Sequence, residues 1–226
     1  MKTILVVGCS QGIGRAVAVQ QMNAGNNVLG ISRGETDVVS HHFALDVLSD
    51  VLPAIDGPID GIVYCPGSIN LKPLRGLKAD DFRRDFEINV MGAVRVLQHF
   101  FPNLQKSAGA SVVLFSTVAV QTGMPYHASV AAAKGAVEGL ARSLAAEWAP
   151  KVRVNCIAPS LTDTPLAARL LDTDVKRQSA ADRHPLKQVG NAADIAAMVS
   201  FLLGDNAAFI TGQVLHLDGG ISSVKI

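Results

Sequence analysis

Gly8-Cys9-Ser10-Gln11-Gly12-Ile13-Gly14 is the stretch that decides how this chain is read. It follows directly on Thr3-Ile4-Leu5-Val6-Val7, a short apolar run suited to a strand covered on both faces, and it opens a segment of helical pattern. Glycines at a strand-to-helix turn let the backbone fold tightly and approach a pyrophosphate, whose charge then meets the unsatisfied N–H groups of the helix N-terminus. The spacing here is G-x-x-x-G-x-G, not the commoner G-x-G-x-x-G. A glycine-rich turn alone can be purely structural; its place after the first strand is what argues for a dinucleotide. Gly8, Ser10, Gln11, Gly12, Ile13 and Gly14 are therefore candidate cofactor contacts.

Working outward, short β-branched runs alternate with longer helical patterns. Strands are expected at Thr3–Val7, Asn27–Ile31, His42–Leu45, Gly61–Cys65, Ser111–Ser116, Arg153–Ala158 and Gln213–Leu217. Between them, Phe82, Phe86, Val90, Ala93 and Leu97 form one apolar helical stripe, and Val130, Ala133, Val137, Leu140, Leu144 and Trp148 form another. A third, Ile195, Met198, Val199 and Leu202, is led by Asn191 with Asp194 three residues on, an N-cap pair. Strand–helix–strand alternation implies right-handed crossovers and a parallel sheet. The fold class is α/β: a Rossmann-like, doubly wound parallel sheet of about seven strands with helices on both faces. There is no repeat, low-complexity segment or linker, so the chain is expected to be one dinucleotide-binding domain over residues 1–226. The span from 33 to 42 is too short for a full crossover helix, and a loop is expected there.

Composition narrows the class. Of 226 residues, 49% are apolar and 17% charged, enough to bury a sizeable core, and the net charge is +1 without a basic stripe. That argues against nucleic-acid and membrane partners, and no run approaches the ~18 apolar residues of a membrane span. The three cysteines, Cys9, Cys65 and Cys156, are far apart and odd in number; a disulfide framework or metal site is not expected, and a reducing cytoplasm is the simplest setting. Cys65 reads as buried filler before it reads as a reactive thiol. His41 and His42 are adjacent and point to opposite faces of a strand, so they do not share a metal.

The second strand bears on the nucleotide. It ends Gly30-Ile31-Ser32-Arg33, with no Asp or Glu from 28 to 34. An acid here would accept from a ribose 2′-hydroxyl, whereas an Arg suits a 2′-phosphate. Arg33, with Arg15 or Ser32 assisting, therefore favours NADP over NAD, the alternative being a solvated loop arginine.

Read in order, these and later residues resemble the short-chain dehydrogenase/reductase family over nearly the whole chain. The Gly8/Gly12/Gly14 turn has that family's spacing, Asp46-Val47 resembles its acidic adenine contact after strand three, and Asn89-Val90-Met91-Gly92 looks like its helix-borne Asn. Lys134-Gly-Ala-Val-Glu-Gly-Leu resembles its active-site helix. Arg153-Val-Asn-Cys-Ile-Ala-Pro159 with Thr164 resembles its strand six and carboxamide-binding Thr, and Val214-Leu-His-Leu-Asp-Gly-Gly220 its last strand. The resemblance implies hydride transfer between a nicotinamide cofactor and a small carbonyl or hydroxyl substrate. It implies cofactor contacts from Gly67, Lys134, Pro159 and Thr164, a Tyr acid/base activated by a Lys four residues on, a Ser on the substrate oxygen, an Asn relay, and a homodimer or homotetramer through the long helices.

The resemblance breaks at the acid/base. Four residues before Lys134 stands Val130, in Tyr126-His127-Ala128-Ser129-Val130. Thirteen before Val130 stands Thr117, with Ser116 adjacent, where the family has Ser; Pro159 is followed by Ser160 in place of Gly. Asn89, Thr117 and Lys134 remain as candidate catalytic residues. Three readings stand. In the first the proton comes from a neighbour: Tyr126, at i, i+4, i+8 with Val130 and Lys134 if the helix starts by 125, or else His127. In the second the hydride chemistry needs little acid/base help. In the third the chain is a catalytically silent NADP-binding sensor or scaffold. Ser160, Thr162 and Asp163 are expected near a lid, with Leu166–Arg183 as a mobile substrate flap.

Overall fold

Alternate residues of the first strand, β1 (Thr3–Val7), feed two different cores. The computed structural model describes residues 1–225. Leu5 and Val7 pack on one face of the sheet, Ile4 and Val6 on the other, and all four are buried. A strand covered on both sides has no polar face, which is why it reads as an unbroken apolar run. β1 is followed by α1 (Gly12–Asn23), β2 (Asn27–Ser32), β3 (His41–Ala44) and β4 (Gly61–Tyr64). Then come α2 (Ala79–Phe86), a π-helical turn at Glu87–Met91, α3 (Gly92–Lys106) and β5 (Ala110–Phe115). The long α4 (Ala128–Trp148), β6 (Val152–Pro159), α5 (Asp174–Asp182), α6 (Ala192–Leu203) and β7 (Val214–Leu217) follow, with a helical turn at Ala119–Thr122 ahead of α4 and a short parallel pair, Thr162–Asp163 with Gly190–Asn191, between β6 and α6.

The seven strands of the central sheet pair in parallel, in the order β3-β2-β1-β4-β5-β6-β7. Val96, Leu97 and Phe100 of α3 and Val137 and Ala141 of α4 cover one face; Val17 of α1 and Ile195, Val199 and Leu202 of α6 cover the other. The doubly wound α/β sheet is thus as expected. The strand order reverses between β1 and β4, which opens a crevice at their carboxyl ends. The segment between β2 and β3 forms no helix. Asn191 caps α6, its Oδ1 accepting from the Asp194 N–H at 2.8 Å. No described helix is long and apolar enough to cross a membrane.

One stripe differs from expectation. Phe86 was to share a buried face with Val90, four residues on, but it is 43% exposed while Asp85 is 2% exposed. The cause is the wide turn at Glu87–Met91: an i→i+5 ladder brings residues five apart onto one face, and Asp85 stands five before Val90. The Asn89 side-chain amide donates to the Asp85 carbonyl at 2.7 Å, inside that turn. A π-turn therefore turns Asn89 and Asp85 inward, behind Gly67 and Ser68.

Candidate active site

The nucleotide end of the crevice is built from backbone. Gly8 has φ +82° and donates to the Ile31 carbonyl at 2.7 Å; Gly12 has φ +55°, a region that costs a side chain dearly. Gly14 is constrained by space: a Cβ there would lie 2.1 Å from the Gly8 carbonyl oxygen. Gln11 precedes α1 without a side-chain cap bond, and no acidic residue stands in the first turn. The first N–H groups of α1 are thereby left for an anion. Gly12 packs beside Thr164, and Ile13 and Thr164 both line the cavity at the next stage of the cleft.

At the end of β2, the Arg33 side chain is 82% exposed, 3.8 Å from Asp46 Oδ2. Ser10 Oγ lies 3.4 Å from where a Gly34 Cβ would be, so Ser10 and Arg33 flank one point on the rim. Two expected helpers are committed elsewhere. The Ser32 hydroxyl, buried, donates to the Gly34 carbonyl at 2.8 Å and bonds His42 Nε2, and Arg15 reaches Asp37 at 3.4 Å. Asp46 accepts from the Leu48 N–H through Oδ1, and Val47 beside it is buried. The uncapped helix, the glycine cradle and the exposed guanidinium fit a dinucleotide phosphate chain.

The chemistry end is a cavity of about 340 Å³. Gly67 and Ser68 after β4, Ser116 and Thr117 after β5, Val130 and Lys134 of α4, and Pro159, Ser160 and Thr164 after β6 line it. The rest of the wall is mostly apolar, with Ile69, Leu71, Met124, Leu161, Leu166 and Leu170. Lys134 Nζ is buried and donates to the Phe115 carbonyl at 2.8 Å. Burial pulls its ammonium down to about 8, against a smaller upward pull from Cys156, Cys65 and Asp85. Burial likewise holds the Cys65 thiol well above its ordinary value and pushes Cys156 up to about 12, so both behave as core filler.

Asn89 faces Lys134 across Gly67: a Cβ on Gly67 would stand 3.4 Å from Asn89 Oδ1 and 3.5 Å from Lys134 Nζ. Asn89 Nδ2 donates to Ser68 Oγ at 2.9 Å, and Ser68 donates to Asp85 Oδ1 at 2.7 Å. Asn89 Oδ1 and Asp85 Oδ2 are buried without a protein partner. Orphaned acceptors beside a buried ammonium are what a hydroxyl-bearing ligand would satisfy. Ser116 is not available, since its hydroxyl donates to buried Glu138 at 2.7 Å. Thr117 Oγ1 accepts from the Ala119 N–H at 3.3 Å and keeps its own hydrogen for the cavity.

The structure corrects the placement of Tyr126. α4 begins at Ala128, so Tyr126 is not on the helix face of Val130 and Lys134. It sits in a turn with φ +71°, 58% exposed, off the cavity wall. Gly123-Met124-Pro125 holds the chain in a turn, and the helix cannot start early enough to swing the phenol inward. His127 does line the cavity, with Nδ1 donating to the Pro125 carbonyl at 2.8 Å. The 165–183 segment folds as a 3₁₀ turn, Pro165–Leu170, and α5, and Leu166, Ala167, Leu170 and Arg183 reach the cavity. Two residues on or behind the wall were missed: Asp85, hidden by the π-turn, and His184, buried just past α5. Ser at 160 in place of Gly is the one sequence signal that leads to His184, as its hydroxyl meets that ring.

Comparison with known proteins agrees with this geometry. A family model described as enoyl-(acyl carrier protein) reductase matches residues 8–222. A tropinone reductase homologue of Arabidopsis thaliana is 31% identical over 96% of this chain and 92% of its own length. The 3-oxoacyl-[acyl-carrier-protein] reductase MabA of Mycobacterium tuberculosis is 31% identical over 97% and 92%. Among solved structures, a short-chain type dehydrogenase/reductase from Mycobacterium ulcerans superposes with a TM-score of 0.88 at 30% identity over 98% of this chain and 90% of that one. ElxO, solved with NADP bound, superposes at 0.86 with 25% identity over 99% of each chain. With the match running from the glycine turn to the last strand, the chain belongs to the short-chain dehydrogenase/reductase family of NAD(P)-dependent oxidoreductases.

Proposed function

We propose that this chain is an NADP(H)-preferring oxidoreductase that moves hydride between the cofactor and a small, largely apolar carbonyl or hydroxyl substrate, with a proton donor other than a residue at 130. The observation that carries this reading is buried Lys134, half neutralised near pH 8 and facing the orphaned Asn89 Oδ1 across Gly67. A buried ammonium is costly, and a nearby ligand hydroxyl is a physical reason to keep it.

Gly8, Ser10, Gln11, Gly12, Ile13 and Gly14 would hold the phosphates, Arg33 a 2′-phosphate, and Asp46 and Val47 the adenine. Lys134, Gly67, Pro159 and Thr164 would hold the nicotinamide half. When bound, the nicotinamide supplies or accepts the hydride. Thr117 donates its hydroxyl to the substrate oxygen and orients it. Lys134, fixed by the Phe115 carbonyl, places positive charge beside the ribose and substrate oxygens, where negative charge develops. Asn89 donates to Ser68 and Ser68 to Asp85, which holds the Asn89 amide with its free Oδ1 toward Lys134. The apolar wall excludes water and matches a substrate with little charge. We extend the reading to a single-domain, cytoplasmic homo-oligomer without nucleic-acid or membrane partners.

Titration calorimetry with NADPH and NADH, followed by turnover of keto esters with NADPH, tests it. Tighter binding of NADPH with turnover is the expected result. Binding without turnover would favour a silent sensor or scaffold, and no binding of either cofactor would leave only the fold.

A further inference from the structure

β6 ends at Pro159, and Ser160 begins the segment that forms the far wall of the cavity. Its main chain is pinned: the N–H donates to the Leu217 carbonyl at 3.3 Å and its carbonyl accepts from Thr162 Oγ1 at 3.0 Å. Its hydroxyl is therefore aimed, and it lies 2.9 Å from His184 Nε2. His184 is 2% exposed, yet it lines the same cavity as Ser160, Thr117, Val130 and Lys134. Its Nδ1 is 2.8 Å from the Ala180 carbonyl of α5. A carbonyl only accepts, so Nδ1 carries a hydrogen, and in the neutral ring Nε2 must accept from Ser160. Gly219, at φ +60°, lets the chain close over the ring, where its Cβ would lie 3.4 Å from the His184 Cδ2.

We propose that Ser160 and His184 form the proton relay for substrate oxygen that Val130 does not supply: Ser160 touches the substrate, and His184 holds the proton behind it. The inference rests on the oxidoreductase reading above. In reduction, hydride adds to the carbonyl carbon and the carbonyl π pair moves to oxygen. That oxygen takes the Ser160 hydroxyl proton, and Ser160 takes the Nε2 proton of imidazolium His184, leaving the neutral ring. A proton taken up from bulk solvent restores the imidazolium, so that reduction consumes one solvent proton per turnover. Oxidation of an alcohol runs the same transfers backwards, with neutral His184 as the base. The Ala180 carbonyl keeps the ring in the tautomer whose Nε2 exchanges protons with Ser160 in both directions. His127, Lys134 and Arg183 are the other basic groups on this wall. Asp218, next to the glycine packed on the ring, directs its carboxylate to Gly220 and Ser222.

The test uses Ser160→Gly, which installs the residue typical of the family, and His184→Gln, which keeps most of the ring's volume but cannot take a proton. NADPH binding is read by calorimetry, and steady-state reduction is read with ethyl benzoylformate and ethyl acetoacetate in H₂O and D₂O. Both variants are expected to bind NADPH as the wild type does and to lose about 100-fold in kcat with little change in KM, the scale of general acid catalysis. Adding Val130→Tyr to Ser160→Gly is expected to recover about tenfold, because a phenol then stands one helical turn before Lys134. A merely structural bond would change the melting temperature and KM, would leave the solvent isotope effect intact, and would not respond to Val130→Tyr. Wild-type kcat in both variants overturns the relay alone. A wild type that binds NADPH but reduces neither ester overturns the oxidoreductase reading and the relay with it.

Discussion

The two ends of the crevice are built on different principles. The nucleotide end is set by main chain: positive φ at Gly8 and Gly12, and a Gly14 that leaves no room for a Cβ. The chemistry end is set by side chains from at least four segments, with Thr117 after β5, Lys134 on α4, Asn89 in the π-turn, and Ser160 and His184 beyond β6. A backbone that must approach a phosphate has essentially one residue type that satisfies it. A proton can be delivered to one oxygen from any wall within hydrogen-bond reach. The first end is therefore tied to its glycines, while the second carries Val130 and still presents acids and bases on its walls.

Gly14→Ala should break the backbone-built end most severely. The added methyl meets the Gly8 carbonyl at 2.1 Å, and neither atom is the tip of a flexible chain, so the turn or α1 must shift. Displacement of this kind costs about 1–3 kcal/mol and misplaces every N–H aimed at the phosphates. NADPH affinity should fall about 100-fold or more by calorimetry, with the far-UV circular dichroism of the folded protein retained. Near-normal binding would show that the turn does not depend on its glycines.

Lys134→Met probes the side-chain end and should separate function from stability. Turnover and NADPH affinity should both fall, since the ammonium that faces the ligand is gone. In the cofactor-free protein the same change should stabilise. The folded-state lysine titrates near 8 and the ordinary lysine near 10.5, so between those values the unfolded chain binds more protons and stability rises with pH. Below pH 8 the buried charge opposes folding in full. The variant should therefore be more stable than the parent at pH 7, by up to about 3 kcal/mol. Its advantage should shrink as pH rises from 8 toward 10.5. Burial of Cys156 works in the opposite direction above pH 9, because its unfolded thiol ionises first. The difference between the two proteins in urea melts, not either alone, is thus the informative quantity. A pH-independent difference would mean that Lys134 is not held in a desolvated site.

The same contrast explains what was legible in the chain. The seven strands could be placed to within a residue or so, the central ones because doubly covered strands are largely apolar, and the glycine turn because backbone constraints leave a local mark. The Asn191 cap could be read from its spacing with Asp194. Asp85 was not legible: a regular helical period buries Phe86, and only the π-turn exchanges the two. Tyr126 was misplaced for a related reason, as helical spacing says nothing about where a helix begins. His184 belongs to the cavity through a tertiary bond to Ser160, 24 residues away, which no local pattern encodes.

Arg33→Ala should have a smaller, selective effect. The guanidinium is exposed and, among the described residues, its one ion pair is a 3.8 Å contact with Asp46, so its loss should not disturb folding. If it receives a 2′-phosphate, NADPH should bind about tenfold more weakly, the scale of one charge-assisted bond near the surface. NADH, which lacks that phosphate, should be unaffected. Equal loss for both cofactors would assign Arg33 to the adenine or the loop. No loss for either would transfer the preference to Ser10 or to the Gly34–Glu35 turn.

Tyr126→Phe should do the least. The phenol stands two residues before α4, in a left-handed backbone conformation and mostly in solvent, and the residue is held through its main chain, its carbonyl accepting from the Lys72 N–H at 3.1 Å. Removing the hydroxyl leaves that main-chain bond intact. Surface substitutions of this sort change stability by about 0.5 kcal/mol or less, and kcat should stay within about twofold of the parent. A fall of about 100-fold with unchanged NADPH binding would contradict this, since that is the signature of a lost general acid. The 123–127 turn would then have to rearrange when substrate binds, carrying Tyr126 over the cavity mouth. The chemistry end would then draw its proton from the loop before α4 and not from the wall beyond β6; silence of both this variant and Ser160→Gly in an enzyme that turns over would leave His127 on the cavity wall as the donor.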